Sequence, residues 1–91
     1  MRVRWMPLAA DDLQQIADYL KEHHPNYAES TVRELFSTVQ SLRTFPRLGR
    51  PGREEGTREL VFGRLPYIAV YRVKDDAIEV LRIWHSARNR P

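Results

Sequence analysis

The C-terminal part of the chain constrains its fold most strongly, because residues 57–88 contain three short runs rich in β-branched, aromatic and aliphatic residues. The runs are interrupted at residues 63–66, which begin with glycine and end with proline, and at residues 74–76, which are Lys-Asp-Asp. Such runs are typical of strands, and such interruptions are typical of tight turns. This stretch therefore predicts three antiparallel strands that follow one another along the chain.

Two amphipathic helices are predicted before these strands. A short strand-like run at residues 2–6 ends at Pro7, and apolar residues then recur at helical spacing until Pro25. A second helical pattern begins at Asn26, which together with Glu29 has the spacing of a capping box. The apolar stripes consist of Leu13, Ile16, Ala17 and Leu20 in the first helix and of Ala28, Val32, Leu35, Phe36, Val39 and Leu42 in the second.

Together these elements predict one α+β domain over residues 1–91, in the order β-α-α-β-β-β. The connection between the helices is very short, so they should form a hairpin that packs against one face of an antiparallel sheet. We expect Leu35, Val39, Leu60 and Val70 to be buried where the helical stripes meet the strands. A chain of this length buries only a modest core, so binding of a partner can add much to its stability.

The basic charge is concentrated in the second half of the chain. Residues 1–42 carry four basic and six acidic side chains, a net charge of −2, whereas residues 43–91 carry eleven basic and six acidic ones, a net charge of +5. Arginine outnumbers lysine 13 to 2, and its planar guanidinium group suits bidentate contacts with carboxylates or phosphates. This distribution is compatible with an ordinary solvated surface, and it also favours an acidic protein partner or a nucleic acid.

The long loop at residues 46–56 holds two prolines, three glycines and three arginines. It lacks the Gly-Lys-Ser/Thr sequence of a P-loop, so the glycines are interpreted as turn residues. Its arginines, Arg47, Arg50 and Arg53, are candidates for a contact surface.

Several classes of site and location are not expected. The chain has no cysteine, which excludes disulfides and thiolate metal sites. His23 and His24 are adjacent and point in different directions, whereas a helical metal-binding pair has i, i+4 spacing, so neither a metal nor another cofactor is expected. No apolar run is long enough to cross a membrane and no signal-peptide pattern is present, so a cytoplasmic location without membrane contact is the expectation.

Five short motifs appear in an order and spacing that belong to a known group of proteins. They are L-x-x-I-A-x-Y-L at residues 13–20, G-R at 49–50, G-T-R-E-L at 56–60, P-Y-I-A-V-Y-R at 66–72 and I-x-V-L-R-I-W-H-x-x-R at 78–88. On these motifs, which extend over nearly the whole chain, the sequence resembles the RelE/ParE superfamily of bacterial toxins. The resemblance implies the toxin of a type II toxin–antitoxin system, associated with growth inhibition and plasmid stabilisation. It also implies a cognate antitoxin that wraps an extended, partly helical segment round the toxin.

The superfamily contains two mechanisms, and position 68 bears on the choice between them. RelE-like members cleave mRNA in the ribosome and commonly carry arginine directly before the L-V-Y of the third strand, where this chain has Ile68. ParE-like members inhibit DNA gyrase and tend to be aliphatic there, so the chain resembles the ParE-like branch more closely. The expected function is therefore inhibition of gyrase without enzymatic chemistry. The alternatives are a ribosome-dependent mRNA endonuclease and a non-toxic remnant that still binds its antitoxin.

If the chain were a nuclease, four residues would be its catalytic candidates. His85 could act as a general acid or base, Glu59 as a base, and Arg58 and Arg82 as cations that stabilise the phosphate in the transition state. Each also has a structural explanation, namely a hydrogen-bonded strand-end histidine or a member of an ion pair. The residues expected to form the surface for a partner or target are Arg47, Arg50, Arg53, Arg58, Tyr67, Trp84, His85 and Arg88.

Overall fold

The computed structural model of the chain describes residues 1–87 and shows two helices packed against one face of a five-stranded sheet. The strands are β1 (Arg2–Trp5), β2 (Arg50–Pro51), β3 (Arg58–Val61), β4 (Tyr67–Val73) and β5 (Ala77–His85). The helices are α1 (Pro7–His23) and α2 (Ala28–Gln40), followed by a 3-10 turn at Ser41–Arg43. The predicted α+β architecture is confirmed, with the short strand β2 added inside the loop that precedes β3.

The sheet is mixed, whereas the sequence predicted an antiparallel one. Its strand order is β1-β5-β4-β3-β2, and β1 runs parallel to β5 while the other neighbours are antiparallel. The meander from β3 to β5 is as predicted. The first strand differs because the helical hairpin carries the chain over the sheet, so β1 pairs with the most distant strand in sequence rather than with a neighbour.

The second helix begins later than the capping-box pattern predicted. Tyr27 occupies the N-cap position and no side chain caps the helix, so Asn26 does not have the predicted role. The ring of Tyr27 stacks on His24, and its hydroxyl group lies 2.8 Å from His24 Nδ1. Glu29 pairs with Arg33 one turn further along the helix instead of closing a capping box.

The core lies between the helices and the face of the sheet that carries Tyr71. Leu35 and Val39 are fully buried and Leu60 is 4% exposed, as predicted. The prediction for Val70 is wrong, because this side chain is only partly buried and lines a pocket on the opposite face of the sheet. Both faces of β4 carry apolar residues, so the sequence could not indicate which set faces the helices.

A β-bulge at Leu81 interrupts the alternation of side chains in β5. Tyr71 is paired with Val80, and the preceding residue of β4, Val70, is paired with Arg82, so Leu81 has no partner. The extra residue reverses the alternation, which places Ile83 in the core and Arg82 on the opposite face. Strict alternation would have placed Arg82 on the same face as Val80, so the bulge determines which side chains of β5 can meet a partner.

The loop before β2 is fastened to the sheet by the buried hydroxyl group of Tyr71. This group donates a hydrogen bond to the carbonyl oxygen of Pro46 at 2.8 Å and accepts one from the backbone N–H of Gly49 at 2.9 Å. A Cβ atom at Gly49 would lie 2.7 Å from the carbonyl oxygen of Glu59 and 2.8 Å from the Tyr71 ring. Glycine is therefore required at this position for the loop to approach the sheet.

We predict that Leu35→Ala lowers the free energy of unfolding by about 2–5 kcal/mol, because it leaves a cavity in the closed core. Leu8→Ala is the matched control, since Leu8 is 60% exposed on α1 and its truncation should cost less than about 0.5 kcal/mol. Urea denaturation of both variants measures the difference. Equal shifts of the two midpoints would contradict the assignment of the core.

Candidate partner-binding surface

The face of the sheet that points away from the helices holds a shallow pocket of about 150 Å³. Its floor comes from neighbouring strands, because Glu59 is paired with Val70, and Val70 with Arg82. The other lining residues are Arg53, Glu54, Thr57, Leu81 and Trp84. The pocket therefore brings together several candidates from the sequence, namely Glu59, Arg82, Arg53 and Trp84.

Arg82 is held in place by the carboxylate of Asp12 on α1. Its Nε and one terminal nitrogen donate to the two oxygens of Asp12 at 2.8 and 3.1 Å. Its guanidinium carbon lies 4.7 Å from the centre of the Trp84 ring, in a cation–π contact. The hydrogen bond and charge of Asp12 raise the pKa of Arg82 above its usual value. The charge of Arg82 is thus largely compensated within the molecule.

The same carboxylate also completes the hydrogen bonding of β5. Strand β1 pairs with β5 only as far as Val80, and the backbone N–H of Ile83 lies beyond that point. Asp12 Oδ2 accepts the hydrogen bond from this N–H group at 2.9 Å. One side chain of α1 therefore substitutes for the missing strand and orients Arg82 at the edge of the pocket.

Glu59 is almost completely buried, at 6% exposure, and forms an ion pair with Arg50. The Nε atom and a terminal nitrogen of Arg50 lie 3.3 and 3.1 Å from Glu59 Oε1. Because it is buried and covered by Arg50, this carboxylate has little access to a substrate proton. This geometry agrees with the structural explanation of Glu59, in which it is a member of an ion pair and not a catalytic base.

His85 lies on the helix-facing side, at the end of β5, where it is paired with Tyr67. Its ring meets the Tyr67 ring edge-on at 5.4 Å between centres. Its Nδ1 atom lies 3.2 Å from the backbone N–H of Ala87, which makes Nδ1 an acceptor and places the proton of the neutral ring on Nε2. His85 is partly exposed and has the hydrogen-bonded position of a structural strand-end histidine.

Arg58 lies at the other end of the sheet, where it is paired with Tyr71. Its terminal nitrogen donates to the carbonyl oxygen of Gly49 at 2.6 Å. Tyr71 and Tyr67 are four residues apart along β4, so Arg58 and His85 are separated by roughly 13 Å along the strands and by two strand spacings across them. Glu59 and Arg82 lie on the opposite face, so the four catalytic candidates do not form one site.

The residues proposed for the partner surface have different environments. Arg47 and Arg53 are exposed in the loop, and Trp84 is partly exposed at the pocket. Tyr67 is only 7% exposed and belongs to the core, so it presents little side chain to a partner. Arg88 lies outside the described residues. Sequence reasoning missed Asp12, because its position relative to the end of β1 depends on how α1 packs.

A second group of charges surrounds Glu79 on β5. Arg72, its cross-strand neighbour, donates from Nε to Glu79 Oε1 at 2.6 Å, and Arg4 lies 3.8 Å away. The hydrogen bond from Arg72 is the main reason that the pKa of Glu79 is lower than usual, and the charges of Lys74 and Arg4 add to it. This cluster holds the ends of β1, β4 and β5 together.

Within residues 1–87 no group of three or more His, Cys, Asp or Glu side chains is arranged to hold a metal ion. No helix in the same part of the chain is long and apolar enough to cross a membrane.

Comparison with known proteins links this geometry to a family. Residues 3–90 match the sequence profile of the ParE toxin of the type II toxin–antitoxin system parDE. The chain is 37% identical over 90 residues to toxin Y4kP of Sinorhizobium fredii, an alignment that covers 99% of this chain and 93% of that protein.

Two solved toxin–antitoxin systems share the fold. The chromosomal ParDE system of P. aeruginosa contains a chain with 34% identity and a TM-score of 0.82, aligned over 91% of this chain and 92% of that one. The RelBE2 toxin–antitoxin complex of Mycobacterium tuberculosis contains a chain with 27% identity and a TM-score of 0.60, aligned over 92% of this chain and 95% of that one.

We predict that Asp12→Ala lowers the free energy of unfolding by about 1–3 kcal/mol, because it leaves the backbone N–H of buried Ile83 without its acceptor. Asp18→Ala is the control, since Asp18 is exposed on the same helix and receives a hydrogen bond only from Gln14 in the described structure. Thermal unfolding followed by circular dichroism compares the two. An Asp12→Ala variant as stable as Asp18→Ala would refute the role given to this carboxylate.

The pH dependence of the Glu79 cluster gives a further prediction. Because the folded-state pKa of Glu79 is lowered, its contribution to stability is present above the ordinary pKa of 4.5 and is lost as the pH falls through the lower, folded value. Arg72→Gln should move the pKa of Glu79 back towards 4.5. An NMR titration of the side-chain carboxyl carbon measures both values, and the same pKa in wild type and variant would contradict the assignment.

Proposed function

We propose, from the premise that this chain belongs to the ParE toxin family of type II toxin–antitoxin systems, that it arrests growth by binding and inhibiting a DNA-handling enzyme such as DNA gyrase. Its action would depend on the shape and charge of its surface and would need no chemical step. We place this action in the cytoplasm, where gyrase and the chromosome are found. The cognate antitoxin would neutralise the toxin by covering that surface.

The separation of the groups that could cleave RNA carries this proposal. Cleavage by attack of a 2′-hydroxyl group needs an acid, a base and a cation that converge on one phosphate. In this chain His85 and Arg58 lie at different ends of the helix-facing side, and Glu59 and Arg82 lie on the other side. Rearranging them into one site would require the sheet itself to change register.

The compensation of charge gives independent support. Arg82 is paired with Asp12 and Glu59 with Arg50, so a phosphate would have to compete with carboxylates already in place. Ile68, where RelE-like nucleases commonly carry arginine, is 6% exposed and is paired with Trp84. Position 68 of β4 therefore supplies no cation to the phosphate of an RNA substrate.

The comparisons are consistent with the same branch. The structural similarity to the chain of the ParDE system is greater than that to the chain of the RelBE2 complex, with TM-scores of 0.82 and 0.60. Both solved systems are toxin–antitoxin pairs, which supports an antitoxin as the partner of this chain.

The variant His85→Gln separates the proposed inhibition from RNA cleavage. Glutamine keeps the hydrogen-bonding capacity and approximate size of the side chain, so the surface offered to gyrase and the inhibition of supercoiling should be unchanged. It cannot transfer a proton near neutral pH. If the protein were a nuclease, loss of the acid or base should slow mRNA cleavage on translating ribosomes about 10²–10⁴-fold. His23→Gln, at an exposed position on α1, is the matched control.

Three outcomes distinguish the candidates. Inhibition of gyrase by wild type and by both variants supports the proposal. Cleavage of ribosome-bound mRNA that is lost only in His85→Gln, with supercoiling untouched, would establish the nuclease instead. Absence of both activities in the wild type, together with retained binding of the antitoxin, would identify a non-toxic remnant.

A further inference from the structure

A second groove, of about 520 Å³, lies at the end of the sheet where β3 begins and β4 ends. It is larger than the pocket beside Trp84 and is separated from it by the loop that contains Thr57, which lines both. Arg47, Arg58 and Lys74 contribute three cationic side chains to its lining, and Asp75 contributes one carboxylate. The side chains of the lining therefore carry an excess of two positive charges.

The cations of this groove differ from most arginines of the described residues because they form no ion pair with a carboxylate. Elsewhere, Arg4, Arg33, Arg50, Arg64, Arg72 and Arg82 each form an ion pair with a carboxylate. Within residues 1–87, Arg47, Arg58 and Lys74 form no such pair, although the charge of Lys74 contributes to the lowered pKa of Glu79. Three cations of this kind in one groove produce a local positive potential that attracts an anionic partner.

The fold holds the guanidinium group of Arg58 in a fixed orientation from which it can bind such a partner. Its guanidinium group is partly buried and is oriented by the hydrogen bond to the carbonyl oxygen of Gly49, whose position is set in turn by Tyr71. Guanidinium has five N–H donors, so donors remain after this contact, and a held group loses less conformational entropy on binding. Arg47 and Lys74 are exposed beside it and can adjust to a ligand.

We propose that this groove binds an acidic segment of the antitoxin, with Arg58 as the fixed contact and Arg47 and Lys74 as the flanking ones. The inference rests on the proposed function, because it assigns a place on the toxin to that partner. Carboxylates match guanidinium geometry in bidentate hydrogen bonds. Met1, Pro51 and Val73 add apolar surface to the groove for the aliphatic parts of a peptide.

An acidic peptide fits the groove better than a nucleic acid does. Proteins that bind single-stranded nucleic acid combine cations with aromatic side chains on which the bases stack. The lining residues of this groove include no Phe, Tyr, Trp or His in the described part of the chain. Phosphate contacts would remain possible, but nothing in the groove would hold a base.

The test compares two double variants of the full-length toxin that lose equal charge. Arg47→Ala with Lys74→Ala removes two groove cations, and Arg33→Ala with Arg64→Ala removes two cations that are paired with Glu29 and Glu34. Binding of a fluorescently labelled, glutamate-rich peptide is measured by polarisation, and binding of the antitoxin encoded beside the toxin gene is measured by titration calorimetry. A single-stranded RNA of the same net charge is the third ligand.

The groove variant should bind the peptide and the antitoxin roughly 5- to 30-fold more weakly than wild type, because two contacts between charges at the rim of an interface are lost. The control variant should bind within about twofold of wild type, because its cations lie outside the groove. The mutated groove residues are exposed, so equal melting temperatures will verify that folding is intact.

Four results would overturn the assignment. Equal weakening in both double variants would show that the antitoxin senses overall charge rather than this groove. Tighter binding of the RNA than of the peptide, dependent on Arg47 and Lys74, would assign the groove to nucleic acid. If the antitoxin binds wild type and groove variant equally, only its assignment to this groove is refuted. If the antitoxin does not bind wild type, the proposed partnership with an antitoxin is refuted as well.

Discussion

The way α1 is joined to β5 depends on the carboxylate of Asp12. It accepts hydrogen bonds from the side chain of Arg82 and from the backbone N–H of Ile83. Strand β1 ends too early to cover this part of β5, and an uncovered N–H group of a buried residue is unfavourable. The first helix supplies the missing acceptor just after the β-bulge at Leu81. One interaction thereby joins α1 to the sheet and stabilises the reversed alternation that separates Arg82 from Ile83.

The separation of Arg82 and Ile83 onto opposite faces of the sheet has a direct consequence for function. The residues with catalytic chemistry are distributed over two faces of the sheet, and those at the first pocket are already paired with partners of opposite charge. Three cations that form no ion pair within residues 1–87, Arg47, Arg58 and Lys74, line a groove at the end of the sheet. Such a molecule is suited to binding an acidic partner through its surface, and the fold itself provides the orientation of the charged groups.

The sequence predicted the elements well because their patterns are local. Helical stripes and the two interruptions of the meander are properties of neighbouring residues, so the helices and β3 to β5 were identified. The parallel pairing of β1, the burial of Tyr71 rather than Val70 and the bulge at Leu81 depend on contacts between distant parts of the chain. The role of Asp12 was missed for the same reason. Arg47 and Arg58 were predicted as partner-surface residues, but the groove that they form with Lys74 was not, since it is assembled only by the tertiary fold.

The central claim is that this toxin acts by occupying its target and not by turning over a substrate. Titration of purified gyrase with the toxin, with supercoiling as the readout, tests it most directly. The account predicts that inhibition saturates when toxin and its binding sites on gyrase are present in equal amounts, and that excess antitoxin restores full activity. Unchanged supercoiling at saturating toxin, with each toxin molecule cleaving many mRNA molecules on ribosomes, would contradict it.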